Sequence, residues 1–223
     1  MNNNRIFVFD MDGVLVASEK TWLETEPRFL HDIFGDRIAD SIGDTVGVSI
    51  GEIYEKARTL GSTLDKDEYD QKYFDVSLRV YSKCSISADT DLLVTYLLEN
   101  NWGIALLSSS PMSWIDQVVK RLPWKDKLTT IVSLNEHHEL RTKPAPDGYN
   151  YLVRTLHTTP EVSIALEDSN PGIASAKSAG LYTIGYLEHL PAEYQQKGAD
   201  NTAEDMKDVI SILESTSHKK ALR

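Results

Sequence analysis

Short apolar segments rich in β-branched and aromatic residues recur along this chain, and each ends in polar or turn-forming residues. Such segments are typical of buried parallel strands. Between the later segments lie longer stretches of helical spacing, so that strand and helix alternate as in a parallel α/β sheet. The predicted strands are Ile6–Phe9, Ile104–Leu107, Thr130–Ser133, Ile164–Leu166 and Tyr182–Gly185, and the helices between the later ones are Ser113–Leu122, Asp147–Leu156 and Pro171–Ala179.

The first predicted strand is separated from the second by a stretch too long for a loop in a compact domain. Much of that stretch has apolar residues at helical spacing, over Thr21–Phe34, Ile50–Leu60 and Asp67–Lys83. We therefore predict an α/β fold with a Rossmann-like parallel-sheet core, formed by residues 1–17 and 88–223. An α-helical cap domain is inserted at residues 18–87.

Two acids follow the first predicted strand directly. Asp10 and Asp12 lie in the motif Phe-Asp-Met-Asp-Gly-Val-Leu at Phe9–Leu15. Open α/β sheets bind their ligands at the carboxyl ends of the strands. Two carboxylates this close together favour a nearby cation, and oxygen ligands suit Mg²⁺. The alternative interpretation is a turn with an acidic cap.

Serines follow the second strand. Ser108 offers a hydroxyl, and the backbone N–H groups from Ser109 onward can bind an anion above the sheet. Ser110 and Pro111 are typical of a helix N-cap and a first helical position. The alternative is that all three serines serve only as caps.

Two later segments carry charged groups. Lys143 precedes the helix predicted from Asp147, and the two prolines between them predict an extended backbone. Lysine is a compact point charge suited to phosphate, with a solvated surface lysine as the alternative. Glu167 and Asp168 end the fourth strand and again indicate metal ligands, with helix capping by Asp168 as the alternative. We expect these groups to meet Asp10 at one edge of the sheet.

The motifs resemble those of the haloacid dehalogenase superfamily of phosphohydrolases. Within it, they are most similar to the group with a helical cap, which includes β-phosphoglucomutases and sugar-phosphate phosphatases. The resemblance covers nearly the whole chain, through the segments DMDGVL, LLSSSP, KPAPDGY and ALEDSNPGIASAKSAG in that order.

This resemblance implies catalytic roles. Asp10 resembles the nucleophile that becomes an aspartyl phosphate. Asp12 resembles the general acid that protonates the leaving oxygen and then activates water. Ser108, with Ser109, and Lys143 resemble the phosphate-binding group.

The resemblance also implies a Mg²⁺ cofactor and a mobile cap. The implied metal ligands are Asp10, the backbone carbonyl of Asp12, Asp168 and, as an additional ligand, Glu167. The cap is expected to close over the cleft, exclude water and select the leaving group.

The candidate cap and substrate residues are Ser18, Trp22, Gly47 and Ser49, and departures from the family pattern lie at Trp22 and beside the others. Ala17 replaces the acid of the usual cap hinge. Trp22 stands four residues after the hinge hydroxyl of Ser18, where the mutases have histidine. Ile50 stands where they have an arginine for the second phosphate of a bisphosphate intermediate. These differences favour a phosphatase over a mutase.

The hypothesis is a Mg²⁺-dependent phosphatase of small phosphate monoesters, with sugar phosphates as the expected class. A sugar-phosphate mutase of the β-phosphoglucomutase kind stays open as the alternative. A phospho-accepting signalling domain and a non-catalytic binding relative are more distant alternatives.

The charge balance adds a constraint on partners. The chain has 34 Asp and Glu against 23 Lys and Arg, a net charge of −11, which disfavours nucleic acid and anionic membranes. The net charge at the candidate site is different, because four acids, Mg²⁺ and Lys143 contribute −4 + 2 + 1, or about −1. A phosphorylated small molecule is therefore compatible. With no apolar run of spanning length and one cysteine, Cys84, we expect a cytoplasmic protein. The resemblance to the family group implies a monomer.

Overall fold

The computed structural model describes residues 5–45, 48 and 50–221, with side chains up to residue 215. The described strands form one sheet in which every neighbouring pair is parallel. The strands are β1 (Arg5–Phe9), β2 (Trp102–Ser108), β3 (Leu128–Ser133), β4 (Ser163–Glu167), β5 (Tyr182–Tyr186) and β6 (Asn201–Ala203).

The order of the strands places the candidate site residues side by side. The sheet runs β3-β2-β1-β4-β5-β6, so β1 lies between β2 and β4. The register pairs Phe9 with both Leu106 and Leu166. The Asp10 N–H extends this ladder by donating to the Leu166 carbonyl at 3.0 Å. Asp10 therefore lies directly after β1, next to the carboxyl end of β4 at Glu167.

Helices flank the sheet and also form a second unit. Residues up to Ala17 and from Ser85 onward form one compact unit, and Ser18–Cys84 form the other. The assignment of residues 18–87 as a cap domain stays a prediction. The described helices are α1 (Ser18–Phe34), α2 (Asp36–Ile42), α3 (Ile50–Thr59), α4 (Lys66–Lys83), α5 (Thr90–Glu99), α6 (Met112–Val119), α7 (Asp147–Thr155), α8 (Asn170–Ser178) and α9 (Met206–Ala221).

The first unit has its core between the sheet and the helices. β1 and β4 are buried along nearly their whole length, as expected of parallel strands covered on both faces. Ile6 and Val8 share one apolar cluster with Tyr149 and Leu152 of α7 and Ala176 of α8. These contacts hold α7 and α8 against the sheet, and both helices begin next to the carboxyl edge.

The second unit is a helical bundle with an aromatic core. The Tyr69 ring lies 5.0 Å from that of Tyr54 and 5.3 Å from that of Tyr73, measured between centroids. The hydroxyl of Tyr69 donates to the Ile50 carbonyl at 2.8 Å. Burial of this ring is favourable because its hydroxyl stays paired. At the start of α4, Asp65 caps the helix by accepting from the N–H of residue 67 at 2.9 Å.

The predicted parallel α/β fold is confirmed, with shifts of a few residues at most element ends. The sequence did not predict α2, α5, β6 or α9. α5 is apolar on its exposed face as well, since Leu92 is 50% and Leu98 39% exposed, so it lacks amphipathic contrast. β6 is short and two of its three residues are exposed. Among the described helices, none is long and apolar enough to cross a membrane.

Candidate active site

A buried lysine joins two acids at the carboxyl edge of the sheet. The Lys143 Nζ lies 2.5 Å from Asp10 Oδ1 and 2.6 Å from Glu167 Oε1. The exposed fraction of the side chain is 8% for Lys143, 8% for Asp10 and 0% for Glu167. The alternative of a solvated surface lysine is therefore wrong. Burial by itself lowers the pKa of Lys143, but the two carboxylates outweigh it and raise that pKa above its ordinary value, so the lysine stays charged.

The acids form a cluster that can hold a metal ion. One carboxylate oxygen from each of Asp10, Glu167 and Asp168 lies within 4.8 Å of the others. Burial raises the pKa of Asp10, and the charges of Glu167, Asp168 and Asp12 add to this rise, while Lys143 opposes it. Glu167 Oε2 is buried and has no hydrogen-bond partner among the described residues. A hard divalent cation would offset the crowding of negative charge, so these residues fit such an ion.

The segment around Lys143 is a turn and does not have the extended backbone predicted from its prolines. The Ala145 N–H donates to the Thr142 carbonyl at 3.0 Å, and the Lys143–Pro144 peptide bond is cis. The Ser175 hydroxyl of α8 donates to the Ala145 carbonyl at 2.6 Å. Contact with α8, which sequence spacing does not reveal, therefore helps to hold the lysine backbone.

Tyr149 contacts the same glutamate as Lys143. Its hydroxyl donates to Glu167 Oε1 at 2.6 Å, the same oxygen that contacts Lys143. Burial, followed by the charge of Glu167, raises the pKa of Tyr149 well above its usual value, so the hydroxyl keeps its proton. Tyr149 and Lys143 together hold the Glu167 carboxylate in one orientation.

The serine segment after β2 contacts Asp12. The Ser110 hydroxyl donates to Asp12 Oδ2 at 2.7 Å, and its N–H donates to Ser108 Oγ at 3.0 Å. The predicted N-cap role of Ser110 is wrong, because α6 starts later, with Pro111 in the cap position and no side-chain cap bond. The hydroxyl orients a catalytic candidate instead.

Two glycines let the acids approach the backbone closely. Gly13 has a φ of 73°, which favours glycine, and a Cβ there would overlap the Asp168 carboxylate. A Cβ on Gly172 would overlap the Glu167 carboxylate. Ser169 caps α8 by accepting from the Gly172 N–H at 3.1 Å, so the alternative of a capping role for Asp168 is wrong.

We expect Gly172→Ala to displace the Glu167 carboxylate. Because that carboxylate is fully buried and bonded to Lys143 and Tyr149, the substitution should lower the free energy of unfolding by about 1–3 kcal/mol. Chemical denaturation measures the change. Gly51→Ala is the matched control, since Gly51 lies exposed on α3 with nothing near its Cβ position; it should be neutral or stabilising. Equal stability of Gly172→Ala and wild type would contradict this account.

Three further candidate residues lie among those that the structure describes. Ser109 is exposed beside the buried Ser108. Ser18 and Trp22 belong to α1 of the second unit, where the Trp22 ring packs 5.8 Å from that of Tyr73. Gly47 and Ser49 lie outside the described residues.

Sequence reasoning missed several residues that support the site. The pattern at Ser110 predicts only a helix cap, and Tyr149 falls within the predicted helix Asp147–Leu156 with no sign of a role at the site. Gly13 and Gly172 stand within the quoted motifs, next to the acids that they accommodate. Gln196 had no local signal, because it lies 28 residues beyond Asp168, whose carbonyl it contacts.

The chain is similar over most of its length to two named phosphatases. A probable pseudouridine-5′-phosphatase of Saccharomyces cerevisiae is 29% identical over 231 residues, covering 96% of this chain and 94% of that protein. A phosphorylated carbohydrates phosphatase of Thermotoga maritima is 24% identical over 186 residues, covering 82% and 84%. A solved putative β-phosphoglucomutase from Thermotoga maritima shares the fold, with a TM-score of 0.79 at 21% identity over 95% of this chain and 99% of that one.

The family model described as haloacid dehalogenase-like hydrolase matches residues 7–186. The matched span is more than half of the chain and contains every residue of the buried cluster. The predicted resemblance is thereby confirmed, and the phosphatase-named relatives support the prediction that the enzyme is a phosphatase. The chain belongs to the haloacid dehalogenase-like hydrolase family.

Proposed function

We propose that this protein is a Mg²⁺-dependent phosphatase of small phosphate monoesters, with sugar phosphates as the main class. The observation that carries the proposal is the buried Lys143, held between Asp10 and Glu167 beside the Asp168 carboxylate. Phosphoryl transfer depends mainly on positioning and on stabilising charge at the phosphoryl oxygens. A fixed cation next to a nucleophilic carboxylate and a cluster of metal-binding oxygens supplies both.

In the proposed reaction, an Asp10 carboxylate oxygen attacks phosphorus and the bond to the leaving oxygen breaks. Asp12 gives its proton to that oxygen, which leaves as an alcohol. Asp12 then takes a proton from water, whose oxygen attacks the aspartyl phosphate. The bond between phosphorus and Asp10 breaks, and inorganic phosphate is released. The Ser110 hydroxyl, 2.7 Å from Asp12 Oδ2, keeps this side chain in place.

The remaining residues bind the phosphoryl group and the metal. Lys143 contacts the phosphoryl oxygens, and Ser108 donates its hydroxyl while the Ser109 N–H adds a backbone donor. Mg²⁺, when bound, neutralises charge on those oxygens. Its proposed ligands are Asp10, the backbone carbonyl of Asp12, Glu167 and Asp168.

The proposed substrate class is supported by the names of the relatives. One is named a probable pseudouridine-5′-phosphatase and the other a phosphorylated carbohydrates phosphatase. Trp22 and Ile50 also differ from the histidine and arginine that the mutase pattern carries. A bisphosphate intermediate needs cations at both phosphates, so these differences favour hydrolysis.

Metal removal tests the proposed cofactor. We expect EDTA to abolish release of phosphate from p-nitrophenyl phosphate, and added Mg²⁺ to restore it, because crowded acids and a substrate phosphate repel each other without a cation. The measurement is phosphate release at matched ionic strength, with Na⁺ in place of Mg²⁺ as the control. Full activity in EDTA would contradict the proposal.

The same preparation distinguishes the phosphatase from the mutase. It is given pseudouridine 5′-phosphate, a hexose 6-phosphate, and glucose 1-phosphate with a glucose bisphosphate primer. Free phosphate supports hydrolysis, whereas isomerised glucose phosphate without phosphate release would identify a mutase.

A further inference from the structure

A loop far along the chain is bonded to the backbone that carries the metal-site acids. We name Tyr194–Lys197, in the connection between β5 and β6, the clasp. The N–H of Asn170, at the start of α8, donates to the Tyr194 hydroxyl at 2.8 Å. The Asn170 side chain donates to the Gln195 carbonyl at 3.0 Å and accepts from the Lys197 N–H at 2.8 Å. The clasp is thus fixed to Asn170, two residues after Asp168.

Within the clasp, Gln196 contacts the backbone of the two acids that end β4. Its Nε2 donates to the Asp168 carbonyl at 2.7 Å and to the Tyr186 carbonyl at 3.2 Å, and it lies 3.4 Å from the Glu167 carbonyl. The β4–β5 ladder ends where Glu167 pairs with Gly185. Gln196 therefore donates its hydrogen bonds just beyond the end of this ladder, at the backbone of Asp168.

The oxygen of the Gln196 side-chain amide lies against Gly185, where a larger residue would not fit. A Cβ on Gly185 would overlap the Gln196 amide, so the amide lies directly against the β5 backbone. Gln196 Oε1 is buried there without a hydrogen-bond partner among the described residues. Leaving an acceptor unpaired is unfavourable. The Nε2 of the same amide offsets this cost by donating to the Asp168 and Tyr186 carbonyls.

We infer that Gln196 is a positioning residue for the metal site, which it serves by holding the Glu167–Asp168 backbone through donated hydrogen bonds. This inference rests on the proposed function, since it concerns the Mg²⁺ ligands named there. Residues that orient metal ligands typically change metal affinity when they are replaced. The hydrogen bonds that Gln196 donates go to backbone carbonyls, so its effect on the metal site passes through the backbone that it holds.

The test is Gln196→Met, which keeps the length of the side chain and removes its donors. We expect the Mg²⁺ concentration that half-saturates aryl phosphate hydrolysis to rise about tenfold or more. Without substrate, the rise in melting temperature produced by a fixed, subsaturating concentration of Mg²⁺ should shrink. Gly185→Ala should give the same two changes, because it displaces the same amide.

Gln195→Met is the matched control, since Gln195 is exposed and contributes its backbone carbonyl to the clasp. It should behave as wild type. If both test variants melt at lower temperature but keep the wild-type Mg²⁺ half-saturation and Mg²⁺-induced shift, Gln196 is merely structural and the inference is overturned. A wild-type protein that hydrolyses phosphate esters without any Mg²⁺ response would overturn the proposed metal dependence first, and the inference with it.

Discussion

Asp10→Asn should lose at least about a thousandfold of kcat for any phosphate monoester that the wild type hydrolyses. The substitution keeps the shape of the side chain and replaces the attacking carboxylate with an amide, which is not a nucleophile. The measurement is hydrolysis of p-nitrophenyl phosphate at saturating Mg²⁺, followed long enough to quantify residual turnover.

The variant should nevertheless fold, because Glu167 still lies 2.6 Å from Lys143 and neutralises it. Removing one carboxylate also relieves the crowding of negative charge that contributes to the raised pKa of Asp10. A melting curve therefore separates loss of the nucleophile from loss of structure. Asp116→Asn, at an exposed position on α6, is the control and should keep wild-type activity. A folded Asp10→Asn enzyme with more than a tenth of wild-type kcat would refute the nucleophile assignment.

Lys143→Met should damage both catalysis and stability. Losing a fixed cation at the phosphoryl oxygens should lower kcat/KM by about 10²–10³-fold. The loss also leaves Asp10 and Glu167 buried without their partner, which should lower the free energy of unfolding at neutral pH by about 3–5 kcal/mol. Activity on p-nitrophenyl phosphate and urea denaturation measure the two effects.

The stability loss should depend on pH in a definite direction. Without the ammonium, burial and mutual repulsion raise the folded-state pKa of Asp10 further above its unfolded value of about 4. The folded state then binds more protons than the unfolded state, so the variant loses stability as pH rises through that window. The deficit relative to wild type should thus be larger at pH 8 than at pH 5.

Lys177→Met provides the matched control for Lys143→Met. Lys177 also forms an ion pair, 2.6 Å from Asp200, but its side chain is 37% exposed. Such pairs contribute about 0–1 kcal/mol, so this variant should keep its activity and most of its stability. Similar losses in the two lysine variants would show that Lys143 has no special role.

The strands and their polar ends could be predicted because both signals are local. Buried parallel strands appear as short apolar runs, and a run that stops at Asp10 or Glu167 marks a strand end directly. The cap and substrate residues gave weaker signals, since Trp22 packs on Tyr73 in the bundle core as an ordinary aromatic residue would. The predicted cap role of Ser110 is wrong because a serine before proline is also typical of a helix cap, whereas this hydroxyl donates to Asp12.

The sequence by itself determined the α/β class, the parallel sheet and the acids, serines and lysine that follow its strands. These features depend on periodicity and on turn residues, which neighbours along the chain decide. It could not determine which of these groups touch. Lys143 meets Asp10 across 133 residues, although it follows β3 and β2 lies between β3 and β1. Gln196 reaches Asp168 because Gly185 leaves room on β5. Only the tertiary structure decided such contacts, because strand order, register and the space beside a backbone arise when distant segments pack together.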